Sequence, residues 1–269
     1  MKQRVYTPPR KLGNPTAAGA RIVYNGGSFS PWSQPLTTAE PRPRLQPLPP
    51  EFWRGLRVII FDLDGTLIDS KLDLAQAVNA TRAQFGLGPL PEERVFSYVG
   101  EGAPLLVRRA LDHSEDDALV KEALEFFLRY YREHMLDNTV AYPGVLEALR
   151  EFSAAGLALT VLTNKPERFS REILRGLGLA EYFKLLYGGN SLERKKPDPI
   201  GVETILRETG AAKEHALLVG DSKVDIQTAR NAGIAACGVT YGLGSDQLHE
   251  EPPDLLVDSL AELAALVRV

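Results

Sequence analysis

Val58-Ile59-Ile60-Phe61-Asp62-Leu63-Asp64-Gly65-Thr66-Leu67-Ile68-Asp69-Ser70 is the stretch whose reading decides the fold. Val58 to Phe61 is apolar and rich in β-branched side chains, with no polar alternation. Such a run reads as a strand buried on both faces, the signature of a parallel sheet flanked by helices. In open α/β sheets ligands collect outside the carboxyl ends of the strands, so Asp62 and Asp64 stand where chemistry is expected. Gly65 lets the backbone turn sharply after them.

Two further runs repeat this grammar. Gly156 to Leu162 reads as a second buried strand ending in Thr163-Asn164-Lys165-Pro166. Pro166 suits the first position of a helix running to Leu177, with Gly178 as its stop. A hydroxyl, backbone N–H groups and a helix start at one sheet edge make a phosphate cradle of Thr163 and Asn164. Ala216 to Gly220 ends in Asp221, and Asp225 follows one helical turn later on the same face. Ile234 to Thr240 and Leu255 to Val257 supply more strands, and Ser259 to Val267 a closing helix.

Between Ser70 and Pro143 the pattern is helical: a run from Leu72 capped by Asp69 or Ser70, then Pro91 to Tyr98, Pro104 to Leu111 and Asp117 to Arg132. A single crossover needs far less chain, so residues 71–142 read as an inserted helical cap on a core made of 51–70 and 143–269. Within it, Gly100 and Gly102 lead into a helix with Pro104 in its first turn, a candidate anion site, and Arg108 and Arg109 follow one turn on. His113 and His134 lack metal-ligand spacing and read as surface or boundary residues.

Residues 1–50 are different in kind. Ten of the chain's 19 prolines fall there, from Pro8 to Pro50, and its basic residues face only Glu40. Such an arm is expected to be disordered, with Trp32 and Trp53 as points that pin parts of it. A proline density this high argues against the amphipathic helix of a transit peptide. The remaining composition is that of an ordinary globular chain: 269 residues, 44% hydrophobic, net charge -4. That charge offers no footprint for nucleic acid or an anionic membrane, and no apolar run approaches a bilayer span. The single cysteine, Cys237, sits in an apolar run and reads as an inert buried thiol in a reducing, cytoplasmic setting. Nothing in the sequence speaks to oligomeric state.

Asp-x-Asp-Gly-Thr at 62–66 resembles the first motif of the haloacid dehalogenase superfamily, mostly Mg²⁺-dependent phosphatases that work through an aspartyl-phosphate. The later stretches follow in that family's order. Thr163 is similar to the second motif's hydroxyl, Lys196 in Lys196-Pro197-Asp198-Pro199 to the third motif's ammonium, and Gly220-Asp221-Ser222 with Asp225 to the metal-holding fourth motif. The resemblance implies a Rossmann-like α/β core with a C1-type helical cap. It implies Asp62 as nucleophile, Asp64 as acid and base, and Mg²⁺ held by Asp62, the Asp64 carbonyl, Asp221 and Asp225. Thr163, Asn164 and Lys196 would hold the phosphoryl group, and Gly100 and Gly102 of the cap would meet the rest of a small phosphorylated metabolite. The Tyr98-Val99-Gly100-Glu101-Gly102 loop and Val239-Thr240-Tyr241-Gly242 look most like the bacterial phosphoglycolate phosphatases. A phosphatase for pyrophosphate or a sugar phosphate, or a phosphomutase of the same superfamily, would keep the same core motifs.

Overall fold

The structure is a computed structural model and describes residues 48–267. In chain order, α1 (Pro50–Gly55) leads into β1 (Val58–Phe61) and β2 (Ile68–Asp69), followed by α2 (Lys71–Gln84), α3 (Glu92–Phe96), α4 (Ala103–Ala110) and α5 (Asp117–His134). After β3 (Val140–Ala141) come α6 (Val145–Ala154), β4 (Ala158–Leu162), α7 (Glu167–Gly176), β5 (Leu185–Tyr187) and α8 (Ile200–Thr209). The chain ends with β6 (Ala216–Gly220), α9 (Lys223–Ala232), β7 (Ala235–Val239), β8 (Leu255–Val257) and α10 (Leu260–Val267). The expected arm lies almost wholly outside the described residues; the Trp53 indole N–H donates to the Leu48 carbonyl at 3.2 Å.

Six strands form one sheet in the order β5-β4-β1-β6-β7-β8, and every pairing is parallel. The chain steps outward from β1 to β4 and β5, then crosses to β6 on the other side of β1. The topological switch point therefore lies beside β1, where a doubly wound sheet opens its ligand crevice. All four residues of β1 are fully buried, as a strand covered on both faces requires. Ile59, Phe61, Leu159, Val161, Leu217 and Val219 face one core, while Val58, Ile60, Leu162, Leu218 and the α8 and α9 residues Val202, Ile205 and Ile226 build the other. Cys237 is buried in the first, and burial pushes its thiol far above the ordinary range.

Helices α2 to α5 pack on one another. The chain leaves the sheet layer through β2 and returns through β3, which pair antiparallel with Ile68 opposite Ala141 and Asp69 opposite Val140. The buried Asp73 carboxylate fastens this junction. It accepts from the backbone N–H groups of Asn138 and Thr139 and from both their side chains, at 2.7–3.1 Å. One buried cluster continues from the sheet face through Leu67 and Leu74 to Val107 and Phe127.

Several local expectations need correction. Of the two capping candidates before α2, Ser70 makes no capping bond, its φ of -110° and ψ of 7° lacking the extended geometry a cap needs, whereas Asp69 Oδ1 accepts from the Lys71 N–H at 3.3 Å. Pro166 stands just before α7, with an extended ψ of 135°, and not at its first helical position. The strand expected from Gly156 starts at Ala158, since the main-chain N–H groups of Gly156 and Leu157 still close the end of α6. Edge strand β5 and the β2–β3 ribbon add to the strands expected from the sequence. Each is two or three residues long, too short for a periodic signal. His113 is exposed and His134 half-buried, the latter 2.7 Å from Asp137. Among the described residues no helix is long and apolar enough to cross a membrane.

Candidate active site

Strand register builds the site. Phe61 pairs with both Val161 and Val219, so the chain emerges from β1, β4 and β6 at nearly the same level. Asp62, Thr163 and Asp221 are the first residues beyond those ends and all are buried. Gly65 makes the turn after β1 with a φ of 87°, and a Cβ there would stand 2.2 Å from Asp221 Oδ2. Only glycine fits both demands.

Asp62, Asp221 and Asp225 each offer an oxygen to a cluster whose members lie within 4.8 Å of one another. Lys196 lies between two of them, its Nζ 2.5 Å from Asp225 Oδ1 and 2.8 Å from Asp62 Oδ1. The second approach lacks hydrogen-bond alignment, which leaves Asp62 Oδ1 buried and without such a bond. Burial pushes the Asp62 carboxyl up to about 6, against the pull of Lys196 and with the push of Asp225. Burial also holds Asp221 well above the ordinary carboxylate range, helped by Asp225 and Asp62. Burial opposes the charge on Lys196, yet Asp225 and Asp62 outweigh it and raise its pKa. Asp225 is oriented by the Ser222 backbone N–H at 3.1 Å and hydroxyl at 2.7 Å, and Asp221 by the Gly244 N–H at 2.8 Å. Three buried carboxylates with one ammonium are short of positive charge. Their hard oxygens suit a divalent cation such as Mg²⁺.

The Asp64 carboxylate stands outside this cluster. Its Oδ1 accepts from the Ser70 hydroxyl at 2.5 Å, and the Lys165 ammonium contacts both oxygens at 2.9 and 3.0 Å. Lys165 also donates to the Tyr131 hydroxyl of α5 at 2.7 Å. Burial works against the charge on Lys165, but Asp64 and Tyr131 outweigh it and raise its pKa. Burial raises the Tyr131 phenol to about 12. Lys165 and Tyr131 were absent from the expected site. The first lay in plain view inside Thr163-Asn164-Lys165-Pro166, while Tyr131 needed the folded chain to bring α5 over β4.

Thr163 Oγ1 accepts from the Lys165 backbone N–H at 3.3 Å. Asn164 ties loops together: its Nδ2 donates to the Gly100 carbonyl at 2.9 Å and the Lys196 carbonyl at 3.1 Å, while its Oδ1 is buried without a partner. Gly100 and Gly102 do reach the site and line one cavity of about 40 Å³ with Asp62, Asp64, Thr163 and Lys165. A Cβ on Gly102 would sit 3.1 Å from the Asn164 carbonyl, and its φ of 90° also favours glycine. The two arginines expected nearby are engaged elsewhere, Arg108 with Asp117 and Arg109 with Glu101. Lys195, next to Lys196, is exposed and donates to the Glu101 carbonyl at 2.5 Å.

The family profile described as haloacid dehalogenase-like hydrolase matches residues 59–239. The chain is 42% identical over 213 residues to a phosphoglycolate phosphatase of Pseudomonas syringae pv. syringae, covering 77% of this chain and 78% of that protein. It is 41% identical over 219 residues to a phosphoglycolate phosphatase of Chromobacterium violaceum, covering 80% and 98%. A crystal structure described as a predicted phosphoglycolate phosphatase from Haemophilus somnus superposes with a TM-score of 0.76 at 33% identity, covering 79% of this chain and 98% of that one.

Proposed function

Since the chain belongs to the haloacid dehalogenase-like hydrolases, we propose that it hydrolyses 2-phosphoglycolate to glycolate and phosphate through an aspartyl-phosphate on Asp62. The observation that carries this reading is the pairing of two carboxyls with opposite surroundings at the end of β1. Asp62 lies among the clustered acids beside Lys196, whereas Asp64 lies apart, among hydrogen-bond donors.

In the first step an Asp62 oxygen attacks phosphorus, the bond from phosphorus to the ester oxygen breaks, and Asp64 gives its proton to the departing alkoxide. In the second, Asp64 takes a proton from water as that water attacks phosphorus, and Asp62 leaves with its oxygen restored. Lys196 and Thr163 shield the phosphoryl oxygens, and Asn164 keeps the Lys196 loop in place through that residue's carbonyl. Asp62, Asp221 and Asp225 would hold Mg²⁺. When bound, the cation supplies positive charge that offsets both the crowded carboxylates and the phosphoryl oxygens.

Helices α2 to α5 would act as the cap, shielding the first step from water. The helical side of the cavity is walled by Leu106, Phe127, Leu128 and Tyr131, which leaves few polar groups there for the hydroxyls of a sugar. A screen of phosphate esters with Mg²⁺, scored by kcat/KM with products followed by phosphorus NMR, tests the reading. The expected result is hydrolysis with 2-phosphoglycolate as the best substrate. Isomerised product, or a preference for sugar phosphates or pyrophosphate, would overturn it.

A further inference from the structure

Resting on that reading, the leaving group of an ester attacked by Asp62 must lie toward Asp64, the carboxyl that protonates it. Among the described residues lining the cavity only one is cationic, Lys165. Its ammonium is buried and spends its N–H groups on Asp64 and on Tyr131 of α5. Much of the remaining wall is apolar, with Leu106, Phe127 and Phe169 among its members, so a charge there is weakly screened.

The start of α4 is poorly suited to the same task. It is faced by the Asn164 main-chain carbonyl, 3.1 Å from where a Gly102 Cβ would stand, and the Gly100 carbonyl before it accepts from Asn164 Nδ2. Arg108 and Arg109 are held in ion pairs with Asp117 and Glu101 and do not line the cavity. A carboxylate in the leaving group therefore finds one complementary charge.

We propose that Lys165, steadied by the Tyr131 hydroxyl, receives the carboxylate of the leaving group and so selects phosphate monoesters with a short anionic tail. A neutral tail offers the ammonium nothing beyond the contacts it already has, whereas a carboxylate adds an ionic contact in a water-poor pocket. Because Lys165 is reached from α5 as well as from the strand edge, the subsite is complete only with the helical insert in place.

The test compares 2-phosphoglycolate with 2-hydroxyethyl phosphate, which has the same reach and no carboxylate. In Lys165→Met, kcat/KM is expected to fall on the order of 100-fold more for the first ester than for the second. Lys165→Arg should recover part of that difference, and Tyr131→Phe should show a smaller loss in the same direction, so a poorly folding Lys165→Met does not end the test. Calorimetric titration gives a readout besides turnover: glycolate binding should be lost in Lys165→Met while inorganic phosphate binding is kept. Equal losses on both esters, with the wild-type preference for 2-phosphoglycolate intact, would overturn this subsite and leave the proposed activity standing. A wild-type preference for the neutral ester would overturn both.

Discussion

At the scale of single residues, Asp62 is a carboxyl placed where its ionised form is costly without a cation. Replacing it by Asn removes the nucleophile and no apolar contact, so turnover is expected to drop by at least about 10³-fold with the fold retained. Kinetics and circular dichroism on Asp62→Asn check this. Substantial residual activity would sink the covalent route. The same variant has a pH signature in metal-free protein. Asp62 moves from an ordinary 3.8 to about 6, chiefly through burial. A pKa raised in the folded state favours folding below the unfolded value, and that advantage disappears as pH rises through the folded one. Asn carries no such dependence. Metal-free Asp62→Asn should therefore gain in melting temperature over wild type between about pH 4 and 6 and hold that lead above, by several degrees. Adding Mg²⁺ at pH 7.5 should shrink or reverse the lead, and a difference that is flat with pH would count against the assignment.

At the scale of elements, the junction between sheet and insert rests on few residues. Asp73 collects five hydrogen bonds from Asn138 and Thr139 across the β2–β3 ribbon. Asp73→Ala leaves the buried Thr139 N–H and hydroxyl unmatched, while exposed Asn138 can turn to water, with an expected cost of roughly 2 kcal/mol by denaturant unfolding. The α4 start offers a different test. A β-branched side chain at Gly102 meets the Asn164 carbonyl, so Gly102→Val should raise KM about tenfold for charged and neutral esters alike. A loss confined to 2-phosphoglycolate would move charge selection back to that turn. These elements also show what a sequence discloses. The strands that carry Asp62, Thr163 and Asp221 were legible because burial on both faces writes an unbroken apolar run. The Asp73 clamp was not, since its partners lie 65 and 66 residues away and nothing local marks them. The bond from Lys165 to Asp64, spanning 101 residues, was hidden for the same reason.

At the scale of the whole molecule, residues 48–267 contain the sheet, both cores and the site. α1 packs at the foot of the sheet, where the Arg57 N–H donates to the His215 carbonyl at 2.9 Å. A protein beginning at Leu48 should keep its activity and melt within about 2 °C of the full chain. A larger drop would show that the proline-rich residues contribute to the body or to self-association. The aligned strand ends carry one more implication. Spacing between neighbouring parallel strands is fixed at about 4.8 Å by main-chain hydrogen bonding, whatever the side chains are. Asp62, Thr163 and Asp221 each sit one step past such an end, so the sheet serves as a ruler for the distances between them. Lengthening a surface connection or exchanging the helical insert leaves the ruler untouched. Adding a single residue inside β1, β4 or β6 turns one mark to the wrong side, so tolerance to insertions should follow the strands and not the distance from the site.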